Sequence, residues 1–576
     1  MSNALEQASL IMVPSGYEDG TLGSLKPTDG TGDFTFTRGS NISATRVNAD
    51  GNIEKGYENL LTYSNDFLNA DWIKASITPT GGQLGYDGSN DAWRIEVNAS
   101  AASARLQQNI SQNICTYSVY AKEGNTSSLG LKSDSSVPSW FDLSGSGSVT
   151  LGTGCVDASI TSVGDGWFRC SVTFPVVTSV RFYVSDSVGS FPVSAGAYLY
   201  IQDAMLNQGM VAYPYVETTT APVAGGILED MPRLDYSNGS CPSLLLEPSR
   251  TNLIRYSEYF NTSPWINRDV TTIENATTSP EGVQNATRIN FSGTDLKRIE
   301  QNTPNDATSC TASIYMKYID HPYVMARLDS TSGAKYTMYN IQTGSIESNT
   351  MDDAKIIPVG DGWYRLIATQ DIQAAQEIFW YFTETSSISQ SAWTGSGSLY
   401  AYGAQFEQGY PTSYIPTYGV SQTRLADNYT GAALSLDGVL GNTQGTIFYE
   451  FSNSLATSGD VFVNYFSSPN GGFARFRNYF QTSGLTGVTS SNPFMGNIRG
   501  KTKIAVSYGG GNIKMFTDGV ENDSGTYTGD ISLNLLYNPI LNQTNESLSS
   551  TNSGIKSFIL FPTALSDDEC IELTTI

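Results

Sequence analysis

Along this chain, apolar and polar residues alternate in short runs that are broken by glycine, asparagine and serine. Tyr117 and Val119 alternate with Ser118 and Tyr120, and Phe168, Cys170, Val172 and Phe174 alternate with Arg169, Ser171 and Thr173. A period of two sends successive side chains to opposite faces of a strand, so runs of this kind at short spacing predict a β-sandwich. Further on, Lys501 to Tyr508 leads through Gly509-Gly510-Gly511-Asn512 into Ile513 to Thr517 and then Asp518-Gly519, which predicts a hairpin followed by a tight turn. Gly445 to Phe451 and Ile555 to Phe561 predict two more strands. After the second, Ser566 with Glu569 fits the capping box of one short helix.

The pattern also repeats. Asn59-Leu60-Leu61-Thr62-Tyr63-Ser64 with Phe67 and Trp72 returns as Asn252-Leu253-Ile254-Arg255-Tyr256-Ser257 with Phe260 and Trp265, 193 residues later. Ala92-Trp93-Arg94-Ile95 is answered by Ala286-Thr287-Arg288-Ile289, and Cys115 to Lys122 by Cys310 to Lys317. Gly164-Asp165-Gly166-Trp167 is answered by Gly360-Asp361-Gly362-Trp363, and Tyr213-Pro214 by a shifted Tyr414-Ile415-Pro416. The order of the matches predicts two tandem copies of one domain, at 59–220 and 252–426, joined by a connector at 221–251 with one apolar strand around Leu244-Leu245-Leu246. Residues 1–58 are rich in glycine and are expected to form an extended attachment segment, and 427–576 a third sandwich. The fold class expected is all-β.

Lys and Arg number 31 against 55 Asp and Glu, and a net charge of −24 repels polyphosphate, so nucleic acid is not an expected partner. No apolar run approaches the ~18 residues of a membrane helix. Ahead of Pro14 there is only Leu10-Ile11-Met12-Val13 with no basic residue before it, too short for a signal-peptide core, and export by that route is not expected. The six cysteines form no CxxC pair and are expected as buried thiols rather than a disulfide framework; Cys155 and Cys170 are close enough in sequence to pair on neighbouring strands.

Gly32 to Ser40, Ala44 to Asn48 and Glu58 to Ser64 together resemble the opening of bacteriophage head-fibre and tail-fibre proteins, as does Pro232-Arg233-Leu234-Asp235-Tyr236 with Cys241 to Leu253. The Gly-Asp-Gly-Trp motif and the tail from Ala404-Gln405-Phe406-Glu407-Gln408-Gly409 to Tyr414-Ile415-Pro416-Thr417 resemble the carbohydrate-binding-module-like jelly rolls of those fibres, and 445–573 is similar to concanavalin A-like or laminin-G-like sandwiches. The resemblance implies tandem jelly rolls, a C-terminal concanavalin A-like sandwich, and location in the virion. It implies a homo-oligomer, dimer or trimer, with other capsid or tail proteins and bacterial surface glycans as partners. A head fibre is the first expectation, because no long shaft is present; a tail fibre or tailspike adhesin is the alternative within the class. A glycan depolymerase is the alternative from another class. A secreted bacterial lectin is a third.

Enzyme chemistry has little to stand on. The single histidine, His321, beside Pro322, argues against a Ser-His-Asp triad or a multi-histidine metal site and reads as a loop residue. A glycosidase needs two facing carboxylates, yet no Glu-x-Asp-x-x-Glu run is present. No cofactor is expected; calcium is conceivable in such sandwiches, but no dense run of Asp and Asn ligands occurs. Trp72, Trp265, Trp167 and Trp363 recur at matched positions and are expected in the cores. Asp165 and Asp361 are expected in turns, with Arg169 and Arg365 available to pair locally. Ligand contacts are sought among aromatic residues that differ between copies: Trp93, Trp140 and Tyr183 in the first, and Tyr323, Trp380, Tyr381 and Trp393 in the second. Because Glu377 to Phe382 is apolar throughout, some of these must be core or interface.

Overall fold

The computed structural model describes residues 2–18, 21–28, 30, 32–39, 42–134, 136–303, 309–330, 333–370, 377–430, 434–435, 439–453, 462–467, 473–477, 479–483, 494–527, 531, 535–537 and 554–576. The described chain is strand and turn apart from two short helices, Ser2–Glu6 and Asp567–Thr574. The second carries the expected capping box, with Ser566 as N-cap and Glu569 reaching back to it. The hairpin Lys503–Gly509 with Asn512–Thr517 is present, and Asp518 and Gly519, both at positive φ, turn the chain into Val520–Thr526.

The two copies share every strand pairing. In the first module Ala104–Glu123 and Trp167–Ser185 run antiparallel over most of their length, with a bulge between Asn109 and Gln112, and contribute to both layers of the sandwich. In the second module the corresponding strands are Arg298–Asn302 and Glu377–Phe382 in one six-stranded sheet, and Cys310–Tyr318 and Trp363–Gln370 in the other. Inward residues such as Cys115, Tyr117, Val119, Phe182 and Val184 pack the first core; Ile314, Val324, Trp380 and Phe406 pack the second. Each such fully buried side chain contributes roughly 1.5–3 kcal/mol.

The repeated sequence motifs are the locks of these modules. Asn59 Nδ2 donates to the carbonyls of Ala204 and Val216, and its Oδ1 accepts from the amides of Leu61 and Leu206. Asn252 does the same with Ala404, Ile415, Ile254 and Phe406. Trp72 and Trp265, both buried, donate from Nε1 to the carbonyls of Tyr63 and Tyr256 at 2.9 and 2.7 Å. Trp167 and Trp363 are also core. Asp165 and Asp361 sit at positive φ in turns, but Arg169 and Arg365 do not pair with them: each reaches the returning tail of its module, at the carbonyls of Tyr213 and Thr412. None of the six cysteines is in a disulfide, Cys155 and Cys170 included; Cys115, Cys170, Cys310 and Cys570 are buried as expected, but Cys241 is exposed and Cys155 half-buried.

The third sandwich differs from the expected division of the chain. Leu10–Glu18 lies between Thr21–Lys26 and Ile555–Phe561 in its large sheet, with Leu10 opposite Leu560 and Met12 opposite Phe558. Phe34–Thr37 extends that sheet, and the hairpin Arg233–Asp235 with Ser243–Leu245 joins it at Ile555. Leu10–Glu18, Thr21–Lys26 and Phe34–Thr37 are therefore not an extended arm. Leu10, Met12, Leu22, Phe34 and Phe36 are apolar at alternate positions and fill the same core as Tyr449, Val506 and Phe558. Both ends of the chain build this sandwich, and the tandem modules are inserted between them.

Candidate functional site

Two kinds of site gather chemically capable side chains: a buried junction between modules, and the outward face of the second module's sheet that holds Arg298–Asn302 and Glu377–Phe382, with its equivalent in the first module.

At the junction, the hairpin Thr45–Val47 with Ile53–Lys55 lies across the end of the second module, where the Ile53 amide donates to the Pro280 carbonyl. Lys55 Nζ sits 2.7 Å from Glu258 and 3.0 Å from Glu281, and all three side chains are at most 5% exposed. Tyr213 of the first module donates to Glu281, as does Tyr402, and Tyr414 donates to Glu258. Burial works against the Lys55 ammonium, but Glu258 and Glu281 outweigh it and hold its pKa well above the ordinary lysine value. The two carboxylates are thus sealed around a permanent cation. A second buried cluster joins the connector to the third sandwich: Arg233 pairs with Glu247 and Asp427, Arg424 with Glu247, and Arg38 with Asp427. The apolar patch of Ile114, Met210, Tyr259 and Tyr418 completes the contact between modules.

Tyr215, not Tyr213, is the counterpart of Tyr414: their hydroxyls bond Ser64 and Ser257 in turn. That releases Tyr213 to cross the junction.

On the equivalent half of the first module's sheet, strand register sets Arg105, Tyr183, Gly130 and Trp140 side by side on four adjacent strands. Phe182, Leu129 and Phe141, one residue away, face the core. Gly130 is required here, because a Cβ would lie 2.8 Å from the Trp140 ring, which reclines across it. Phe191, on the following loop, packs its ring against Trp140 at 5.6 Å and Tyr183 at 5.1 Å. The next row holds Gln107, Arg181 and Lys132.

In the second module the same positions carry Arg298, Tyr381, Met325 and Met338, with Glu300, Phe379 and Arg327 in the next row. Arg298 lies 5.3 Å from the centres of both the Phe379 and Tyr381 rings, and Arg327 lies 4.8 Å from Phe379. Gln390, on the loop matching that of Phe191, bonds Arg327 and Tyr336.

Of the aromatic residues singled out from the sequence, Trp140 and Tyr183 come together, and Tyr381 and Tyr323 share the Met325, Met338 and Phe379 cluster. Tyr183 and Tyr381 prove to be equivalent positions, contrary to the expectation that they differ between copies. Trp140, Tyr183 and Tyr381 are 6%, 4% and 2% exposed, a floor rather than an open platform. Trp380 is wholly buried in the second core and cannot meet a ligand. Trp93 packs edge-on against Phe67 and donates to the Asn65 carbonyl. Trp393 stacks on buried His321 at 5.7 Å, under Lys297. Burial lowers the His321 pKa. The arginines of both faces were missed, although Arg105-Leu106-Gln107-Gln108 and Arg298-Ile299-Glu300-Gln301 are a readable repeat.

Among the described residues, no group of three or more His, Cys, Asp or Glu side chains is placed to hold a metal ion, and no helix is long and apolar enough to cross a membrane. No family model and no curated protein sequence matches the chain. Among solved structures, the chain is similar to the N-terminal CBM22-1-CBM22-2 tandem domain from Paenibacillus barcinonensis Xyn10C, at 9% identity and a TM-score of 0.20, over 64% of this chain and 99% of that one. It is also similar to the LG1-3 region of the laminin alpha2 chain, at 8% identity and a TM-score of 0.16, over 81% and 97%. Likeness at this level carries no argument about use, and the fold rests on the strand pairings themselves: tandem antiparallel β-sandwiches inserted in a third.

Proposed function

We propose that this chain is a non-enzymatic structural appendage of a bacteriophage virion, a head fibre, that presents its tandem sandwiches to glycans on the bacterial surface. The observation that carries the reading is the repeated sheet face: in both modules an arginine and a tyrosine stand on adjacent strands at the same register, among further aromatic and polar side chains. Guanidinium and amide groups suit the oxygens of a sugar, and a half-buried ring at the margin, such as Phe191, suits its apolar side. The buried clusters support architecture over catalysis, since Glu258 and Glu281 are closed off beneath Lys55 and its tyrosines. Two modules held in one frame, multiplied in a dimer or trimer, would sum weak contacts into firm attachment.

The test is binding of the purified full-length protein to host cells and to a glycan array, with and without chelator, while the same mixtures are assayed for released sugar. Binding without release is the expected result; release of reducing ends would replace the adhesin by a depolymerase, and loss on chelation would add a metal. Labelling of intact virions with an antibody to the protein distinguishes a head fibre from a tail fibre or tailspike.

A further inference from the structure

We infer that the first module's sheet face recognises an acidic saccharide, one bearing carboxylates, whereas the second module's face does not share that preference; the inference rests on the glycan-binding reading above. Arg105, Arg181 and Lys132 lie within two adjacent rows of three neighbouring strands, and Lys132 and Arg181 are direct cross-strand partners. Like charges placed directly opposite each other destabilise a sheet. Asp134 relieves Arg181 alone. Arg105 donates from Nε to the Gln107 amide oxygen at 3.2 Å, its terminal nitrogens have no partner among the described residues, and Lys132 makes no ion pair there. Three cations against one carboxylate stand out on a chain of net charge −24.

The second module is the internal comparison. Its frame keeps Arg298 for Arg105, Arg327 for Lys132 and Asp329 for Asp134, but Phe379 replaces Arg181, Arg268 replaces Ala75 and Glu300 replaces Gln107. The number of cations is unchanged at three, and one anion is gained. Glu300 is shared by Arg298 and, at 3.4 Å, Arg268, and Arg327 is closed on Asp329, both contacts of Arg327 falling at 2.5 to 2.6 Å. The same scaffold therefore sets three cations against two carboxylates in one copy and against a single carboxylate in the other. A carboxylate at the spacing of neighbouring sugar residues supplies the missing charge, through the bidentate geometry that guanidinium favours, while the half-buried Phe191 ring, 5.9 Å from Lys132, offers the apolar flank.

The experiment is titration calorimetry of the full-length protein with a hexamer of galacturonic acid and with a neutral hexasaccharide, at low and at physiological salt. The uronate is expected to bind at least tenfold more tightly than the neutral sugar, and to weaken at least tenfold in Arg105→Gln with Lys132→Gln. Lys501→Gln with Lys514→Gln, the same loss of two charges in the third sandwich, is expected to leave it unaltered. If the double variant misfolds, the wild-type salt dependence decides: affinity for the uronate must fall with salt while that for the neutral sugar holds. Host-cell binding with a preference for the neutral sugar, or uronate binding indifferent to the double variant, would overturn the acidic-sugar assignment and leave the adhesin standing. Absence of binding to host cells and to both sugars would remove both.

Discussion

At the scale of single residues, buried charge decides how this chain is held. Lys55 brings one ammonium to two carboxylates in a dry junction, and removing it strands both. Lys55→Met is expected to destabilise the protein by about 3–5 kcal/mol, measured by chemical denaturation, with most of the loss recovered when Glu258→Gln and Glu281→Gln are added. Because the Lys55 pKa is raised, its contribution is complete below the free-lysine value of 10.5 and is lost only as pH climbs through the folded value. Glu247 runs the other way. Burial opposes its charge, but Arg424 and Arg233 prevail and hold its pKa down at about 2, from 4.5. Its contribution, about 3 kcal/mol, is complete above 4.5 and lost as pH falls toward 2. Denaturation midpoints recorded between pH 6 and pH 2 should fall in that window, and the fall should shrink in Glu247→Gln.

At the scale of elements, the repeated asparagines explain why two modules with dissimilar surfaces keep one frame. Asn59 and Asn252 each satisfy four backbone groups at the point where the chain enters the sandwich. Asn252→Ala is expected to cost about 2–4 kcal/mol, since the bared amides and carbonyls are buried, and a thermal melt followed by circular dichroism would register it. Gly130 has an equally local duty. A side chain there meets the Trp140 ring at 2.8 Å, so Gly130→Val is expected to lift Trp140 off the strand and shift its fluorescence to the red without abolishing the fold.

At the scale of the whole molecule, the chain closes on itself. Leu10–Glu18 sits inside the sheet that ends with Ile555–Phe561, so the first strands are part of the last domain. Deleting residues 1–37 is expected to expose the edge of Ile555–Phe561 and the core around Phe558, giving an aggregating C-terminal sandwich, while the tandem modules remain folded. Size-exclusion chromatography and limited proteolysis of the truncated chain would check this, since a soluble, protease-resistant third sandwich would contradict it. The two modules, joined by Lys55, Tyr213 and the Tyr418 patch, are expected to unfold in one calorimetric transition that splits in Lys55→Met.

Much of this was legible along the chain. Alternation at Phe168 to Phe174, the recurrence of Asn-Leu-Leu/Ile and Gly-Asp-Gly-Trp, and the box at Ser566 and Glu569 are local signals, because strand faces, turns and caps are set by neighbours within a few residues. Those positions determined an all-β chain with two copies of one domain. Partnership across hundreds of residues was not legible. Leu10 opposite Leu560, Lys55 between Glu258 and Glu281, and Tyr213 on Glu281 depend on which surfaces the folded modules bring together, and an apolar or charged residue reads the same whether its partner is near or far. The faces show the division most plainly. Sequence marked Tyr183, Trp140 and Tyr381 as aromatic and Trp380 as their equal, but the pleat sends Trp380 inward and its neighbour Tyr381 out beside Arg298. Alternation along one strand is written in sequence; the register between strands, which sets Arg105, Arg181 and Lys132 on one surface, is decided only when the sheet forms.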